Sequence, residues 1–397
     1  MNIFFIPSWY PSPDSPLTGI FFRDQAEAIT QLHAECAVGI STWGQNDARL
    51  LLWGHTPLQS LRKRFTKPAS AVYQHSENLV EFFTPTFTWT RRIWRGNLAQ
   101  ITRANFKNLR QFEALKGKTD IIHAHVGFPA GYIAQQISAK TGIPYVITEQ
   151  MSPFPFPYFV RAGKLMPKLA LAYQDAQANI AISPSLQTQM ASYGVSRLAY
   201  VPNLIDERDF LPALPAHAVF TFFMLGRMVS QKGVPVLLQA IAQLVGKFPT
   251  IQFRLGGEGE EKLAYQTLAH SLNIDKHITW LGELTRRQVA IECQACHAFV
   301  LPSLHETMGV VLAEALACGK PLVSTYCGGA ESVVTPENGL LAQVSHVEDL
   351  AEKMAQMMLH YDTYKPEILR QDALNRFSRR VIVDKLLEIY ATAIAKK

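Results

Sequence analysis

Short apolar runs recur along this chain with helical patterns between them, and that rhythm restricts its fold more than any other property. NIFFIP opens the series, and CAVGIS, NLVEFFT, DIIHAHV, YVITE, ANIAIS and LAYVPN follow. These runs are apolar on both faces, which suits strands buried from both sides. A Pro/Ser/Gly loop over residues 7–19 leads to a helix predicted from about Phe21 to His33, with Ala26, Ile29 and Leu32 on one side. Another helical pattern follows Gly131. Strands alternating with crossover helices predict a parallel sheet covered on both faces. Pro and polar residues cluster in LIDERDFLPALPAHA and break the pattern. A second series then runs through FTFFMLG, IQFRLGG, ITWLG, AFVLPS, PLVST and GLLAQ. The expectation is an α/β chain of two domains in tandem, divided at residues 1–205 and 206–375, with a last segment, 376–397, reading as an amphipathic helix.

Composition agrees. A chain of 397 residues with 48% hydrophobic content exceeds what one core usually supports. No apolar run reaches the ~18 residues of a spanning helix. The first residues carry no basic region and too short an apolar stretch for a signal peptide, so they read as a buried strand. Five scattered cysteines include Cys293-Gln-Ala-Cys296, a C-x-x-C without a second pair. Small buried side chains in a reducing cytoplasm explain them better than zinc or redox chemistry.

The net charge of +6 is unevenly placed. Thirteen basic residues between Arg49 and Lys118 face only Glu77, Glu81 and Glu113, while Phe82, Phe83, Phe87, Trp89 and Trp94 interleave. Such a stretch suits an acidic acceptor or an anionic membrane surface, or is simply a solvated basic face. No nucleic-acid recognition module is visible.

The densest chemistry lies in residues 301–330, LPSLHETMGVVLAEALACGKPLVSTYCGGA. Glu306 precedes a short turn, and Glu314 sits eight positions on, inside an apolar Ala-rich helix. Amides at a helix start, with the helix dipole behind them, favour an anion. Carboxylates flanking that loop suit sugar hydroxyls. Phosphate beside hydroxyls describes a nucleotide sugar.

Here the chain resembles the retaining GT-B glycosyltransferases of family 4, in the E-x7-E spacing and the ACGKPLVST…GG run that follows. The family usually reads E-G-F-G where this chain has Glu306-Thr307-Met308-Gly309; Gly309, which permits close backbone approach to phosphate, is kept. Gly226-Arg227-Met228-Val229-Ser230-Gln231-Lys232-Gly233 resembles the G-R-x-x-x-x-K-G motif after the first strand of the second domain. Arg227 would offer a planar fork and Lys232 a point charge to a diphosphate, and both would stabilise charge on the leaving phosphate. Gly256-Gly257-Glu258-Gly259 resembles a loop bordering the nucleotide, and Trp280-Leu281-Gly282 one beside the base.

In the first domain, His123 and His125 alternate on one face of a strand. The resemblance places the second near the transferred sugar, so His125 is the candidate sugar contact and His123 a structural residue. Pro16-Leu17-Thr18-Gly19 resembles the N-terminal glycine loop, where Gly19 would approach donor or acceptor. Thr148-Glu149-Gln150 resembles a polar loop near the cleft, without an assigned role. Pro202-Asn203-Leu204-Ile205-Asp206 resembles a junction segment whose Asn and Asp fix a turn.

The resemblance implies two tandem Rossmann-like domains facing a central cleft, with the C-terminal helix crossing back to the first. It implies a nucleoside-diphosphate sugar as donor, a carbohydrate or lipid-linked carbohydrate as acceptor, and retention of anomeric configuration. The implied donor site is Gly226, Arg227, Lys232, Glu258, Leu281, Glu306, Met308, Gly309, Val310 and Glu314, with Glu314 on the ribose, Glu306 on the transferred sugar, and no metal or further cofactor. The place of action would be the cytoplasm or the inner membrane face, in cell-surface polysaccharide synthesis. No D-x-D exists to ligate a metal, position 112 is Phe where a P-loop needs Gly, and no G-x-S-x-G elbow is present. A nucleotide-sugar epimerase and a non-catalytic sugar-nucleotide-binding subunit remain as rivals.

Overall fold

The computed structural model describes residues 1–13, 15, 18–50, 68–88 and 97–396. Several residues singled out above lie outside them: Pro16 and Leu17 of the glycine loop, and Arg62, Lys63, Arg64, Lys67, Trp89, Arg91, Arg92, Trp94 and Arg95 of the basic stretch. The chain divides into two compact units, one of Met1–Ile182, Gln187–Val201 and Val383–Lys397, the other of Ser183–Leu186 and Pro202–Ile382.

Among its described residues the first unit has ten strands: β1 (Asn2–Pro7), β2 (Ala37–Thr42), β3 (Ala71–Ser76), β4 (Leu79–Phe83), β5 (Ile121–His125), β6 (Tyr145–Glu149), β7 (Val160–Arg161), β8 (Lys164–Leu165), β9 (Ala178–Ala181) and β10 (Leu198–Tyr200). Eight of them form one sheet in the order β10-β9-β6-β5-β1-β2-β4-β3, and β7 with β8 forms a separate hairpin. Ile3, Phe4, Phe5, Ile6, Val38, Ile40, Ile121, Ile122, Val146 and Ile147 are fully buried, as strands covered on both faces require. All neighbours in the large sheet run parallel except β3, an antiparallel edge. The sequence pattern did not predict β3, because AVYQHS carries no buried face.

The second unit holds β11 (Thr221–Leu225), β12 (Gln252–Gly256), β13 (Ile278–Gly282), β14 (Ala298–Leu301), β15 (Leu322–Thr325) and β16 (Gly339–Ala342). They form one parallel sheet in the order β13-β12-β11-β14-β15-β16. Phe222, Phe223, Met224, Phe253, Leu255, Phe299 and Val300 fill its core.

The helix predicted over 376–397 is Arg379–Ala395, and residues 376 and 377 instead close a preceding helix, Pro366–Phe377. Between them Ser378 is extended, since the Phe377 carbonyl accepts from Ile205 N at 2.9 Å and Arg379 N donates to Glu207 Oε2 at 3.1 Å. From Val383 onward the tail belongs to the first unit. There Leu386 and Tyr390 are buried, and the Tyr390 hydroxyl lies 2.6 Å from His123 Nδ1. Thr148 Oγ1 meets the other ring nitrogen at 2.7 Å. His123 is thus a structural link between tail and sheet.

Glu149, at the end of β6, is wholly buried. Its carboxylate accepts from the amides of Gly127 at 2.9 Å and of Gln150 and Met151 at 2.7 Å, and from the Tyr173 hydroxyl. Burial pushes this carboxyl up, and these donors act against the rise.

Candidate active site at the strand ends of the second unit

In a parallel sheet, loops at the carboxyl ends of the strands form a crevice where the strand order reverses direction. In the second unit that point lies between β11 and β14: the chain builds outward through β12 and β13, then returns to the other side of β11. Gly226, Arg227 and Lys232 follow β11, and Glu306 follows β14.

The structure brings Lys232 and Glu306 together. Lys232 Nζ lies 2.5 Å from Glu306 Oε1, and Ser303 Oγ donates to the same oxygen at 2.7 Å. Glu306 is buried and Lys232 half-buried. Their backbones are tied as well. Leu304 N donates to the Gln231 carbonyl at 2.8 Å, and the Gln231 side chain donates to the His305 carbonyl at 2.9 Å. Gly233 has φ +65, and a Cβ there would stand 1.9 Å from the Pro302 carbonyl oxygen. Only glycine allows the two loops this approach. From the other side, Glu306 pairs with Gly328 in a parallel bridge, and a Cβ on Gly329 would meet the Thr307 carbonyl carbon at 2.4 Å.

The loop after β12 backs onto the loop after β11. Met228 N donates to the Glu258 carbonyl at 2.9 Å, Gly226 N to the Gly256 carbonyl at 3.1 Å, and Gly257 N to the Gly282 carbonyl at 2.7 Å. At Gly257 (φ +123) a Cβ would fall 1.9 Å from the Gly226 carbonyl oxygen. The three loops therefore form one hydrogen-bonded rim. On it Arg227 is exposed, with no side-chain hydrogen bond or ion pair among the described residues. Glu258 pairs with Lys262 at 2.5 Å, and Leu281 is half-buried beside Gly282.

Gly309, left-handed at φ 79, starts the helix Val310–Ala317, which carries Glu314 half-buried one turn in. The first amides of a helix have no intrahelical acceptor, so those of Val310 and Val311 are set to meet an anion. The Met308 side chain turns inward. It is buried, and its Sδ receives the Asn203 amide at 3.3 Å, so any ligand contact there falls to its backbone. Asp206, in the same segment, accepts from Arg208 N at 3.2 Å and fixes a turn.

Sequence reasoning passed over Ser303 and Gln231. The only signal available was a hydroxyl three positions ahead of Glu306 and an amide one ahead of Lys232.

The first unit has its own reversal point, between β1 and β5. Gly19 (φ 71) starts the helix Ile20–Leu32 after β1, packed so that a Cβ would sit 2.8 Å from the Trp9 carbonyl oxygen. His125 ends β5. It has no exposed surface, and neither ring nitrogen has a hydrogen-bond partner. Its ring packs among Phe5, Phe22 and His123 at centroid distances of 4.7, 4.3 and 4.1 Å. Burial, with His123 beside it, holds His125 well below the ordinary histidine range, so the ring is neutral. A sugar hydroxyl reaches it only after neighbouring side chains move.

All five cysteines are buried and free. Among the described residues no group of three or more His, Cys, Asp or Glu side chains is placed to hold a metal, and no helix is long and apolar enough to cross a membrane. Of the basic stretch, Arg103, Lys107 and Arg110 are exposed along the helix Leu98–Lys116, and Arg49 pairs with Asp47 at 2.7 Å.

Two family descriptions match the chain: Glycosyltransferase Family 4 over residues 64–209, and Glycosyl transferases group 1 over residues 212–373. A Bacillus subtilis protein described as a glycosyltransferase of teichuronic acid biosynthesis is 26% identical over 386 residues, 93% of this chain and 92% of that one. Among solved structures, the sucrose-phosphate synthase of Thermosynechococcus elongatus superposes with a TM-score of 0.76 at 19% identity, covering 100% of both chains. Anabaena HepE in complex with UDP and glucose superposes with a TM-score of 0.71 at 19% identity, covering 99% of this chain and 100% of that one.

Proposed function

Since the chain belongs to the family-4 type of glycosyltransferases, with two Rossmann-like domains of the GT-B fold, we propose that it moves a sugar from a nucleoside diphosphate to a carbohydrate or lipid-linked carbohydrate, with retention of configuration and without a metal. The observation that carries this reading is the contact of Lys232 with Glu306 at the point where the strand order reverses.

Arg227 and Lys232 hold the diphosphate, with the amides of Gly309 and Val310 adding to the grip. Glu258 and Leu281 border the nucleotide, Glu314 takes the ribose hydroxyls, and Glu306 takes a hydroxyl of the transferred sugar. As the bond from sugar to phosphate breaks, negative charge grows on the leaving diphosphate. Fixed cations already in place lower that barrier without reorganisation. Glu306 orients Lys232 for this task, while Ser303 fixes the carboxylate. No carboxylate is assigned as a nucleophile: the acceptor hydroxyl attacks on the face from which the diphosphate departs, and the departing phosphate takes its proton.

HepE supports a uridine donor, being a structure of the same fold with UDP and glucose. The Bacillus subtilis relative supports a surface polysaccharide as product. The place of action is the cytoplasm, where a nucleotide sugar is at hand.

The test is a thermal-shift panel of UDP, GDP, ADP and their sugar conjugates, with and without magnesium. A ligand that binds only the folded state raises the melting temperature. One diphosphate acting equally well without magnesium supports the reading and names the base. No shift from any of them overturns it.

A further inference from the structure

The loop leaving β6 carries a surface that the donor site does not use. Five aromatic rings, three on this loop and two from the segment after β5, form a continuous series. Tyr132 lies 6.4 Å from Phe128, Phe128 lies 5.3 Å from Phe159, and Phe159 lies 4.5 Å from Tyr158, which stacks on Phe156 at 5.4 Å and 13°. The series reaches solvent: Tyr158 is 71% exposed, and Phe128, Tyr132 and Phe156 are half-buried. A side chain that large, that open and stacked on a second ring is not what a core-facing loop needs.

Along the loop the charge has one sign, and the nearest exposed carboxylate in sequence, Asp175, is engaged by the Gln135 side chain at 2.9 Å. From Gln150 to Gln174 there is no Asp or Glu, while Arg161, Lys164 and Lys168 are all exposed. The helix Tyr132–Thr141, packed beside the loop, also lacks an acidic residue. Arg161 and Lys164 face each other across the short hairpin of β7 and β8, whose tip is Ala162-Gly163. Lys168 Nζ stands 5.1 Å over the Tyr132 ring. Amphipathic rings at the depth of lipid headgroups, with long cationic side chains reaching phosphates, form the pattern by which proteins lie on anionic bilayers without crossing them.

We propose that residues 156–168, with Phe128 and Tyr132, dock the protein on an anionic lipid surface. The stacked rings enter the headgroup layer, and Arg161, Lys164 and Lys168 meet lipid phosphates. These residues lie outside the basic stretch of residues 49–118 in the sequence. Docking also stands apart from the transferase reading, because it requires neither donor nor turnover. The loop emerges from the carboxyl end of β6, the same end of the sheet as His125 and Gly19. An acceptor carried by lipid would therefore be presented to the working end of this unit.

The experiment is co-sedimentation of the full chain with phosphatidylcholine vesicles, pure or containing roughly a third phosphatidylglycerol. Wild type should sediment with the anionic vesicles at low salt and be released in about 0.5 M salt, where screening shortens to a few ångströms. Arg161→Glu with Lys164→Glu should lower partition at least tenfold, on the scale of roughly fivefold for each cation removed. Tyr158→Ser should lower it several-fold without changing the charge. Unchanged melting temperatures show that both variants fold. Wild type that stays in the supernatant overturns the proposal, even if an acidic polypeptide such as polyglutamate binds the same residues, which would make this a protein-docking surface. Variants that sediment as well as wild type overturn it too.

Discussion

Lys232 and Glu306 touch at 2.5 Å although 74 positions separate them in the chain. The contact joins the loop after β11 to the loop after β14, two strands that are neighbours only because the chain reverses direction between them. An ammonium held by one carboxylate in a partly buried place is positioned before any ligand arrives.

Removing that carboxylate should separate binding from chemistry. Glu306→Ala is expected to lower turnover at least a hundredfold, the scale set by loss of one preorganised electrostatic partner. The melting shift given by the preferred nucleoside diphosphate should persist. Lys232→Ala should lower both. Turnover near the wild-type level in Glu306→Ala would remove Glu306 from the mechanism.

Glu314 sits one turn into the helix that Gly309 opens. If it takes the ribose hydroxyls, Glu314→Gln keeps the shape and loses the charge-assisted hydrogen bonds. A rise of roughly tenfold in the donor KM with little change in kcat is the expected split, since that interaction is equal in ground and transition states. A fall in kcat at constant KM would argue for a different role.

The rim of loops should be intolerant of a single methyl group. Gly257→Ala places a Cβ 1.9 Å from the Gly226 carbonyl oxygen at a φ of +123, and Gly233→Ala does the same against Pro302 at φ +65. Neither obstacle is a flexible side chain. Each variant should lose roughly 2–4 kcal/mol in urea unfolding, more than an ordinary surface change. Gly246→Ala meets no atom within 4 Å and serves as the tolerant control.

Stability should fall as the solution becomes acidic. Burial holds His123 down to about 3, and holds His125 well below its ordinary range. An unfolded histidine titrates near 6.5. Below that pH the unfolded chain takes up protons that the folded chain refuses, so stability is fully present above about 6.5 and declines toward the folded values. Glu149, pushed up by burial, works with the opposite sign. His125→Phe isolates the imidazole, because neither ring nitrogen has a hydrogen bond to lose. Between pH 6 and 5 it should flatten the slope of unfolding free energy by ~1.4 kcal/mol per pH unit. An unchanged slope would mean that His125 is protonated in the folded chain.

Much of the fold was legible because apolar runs and strands coincide. YVITE and ITWLG begin and end where β6 and β13 do. AVYQHS was not legible, since an exposed edge strand carries no burial pattern. Nor was the break at Ser378, which depends on Ile205 and Glu207, distant in sequence, meeting the backbone there. The site divides the same way. Arg227, Lys232, Glu306 and Glu314 stand out by residue type and spacing. That Lys232 reaches Glu306 could not be read, because it follows from strand order. The burial of His125 was hidden for a similar reason: Phe5, Phe22 and His123 converge on it only once β1, β5 and the helix Ile20–Leu32 are packed.

The return of residues 383–396 to the first unit bears on how this protein is made. Translation runs from the amino end, so the eight-stranded sheet is complete in sequence by Tyr200 while Tyr390, the hydroxyl partner of His123, is still unsynthesised. Throughout that interval the sheet lacks part of its cover, and a nascent chain stalled or clipped before residue 383 would lack the buried side chains of Val383, Leu386 and Tyr390 that the first unit otherwise holds. Apolar surface uncovered in this way is the kind that chaperones and proteases recognise.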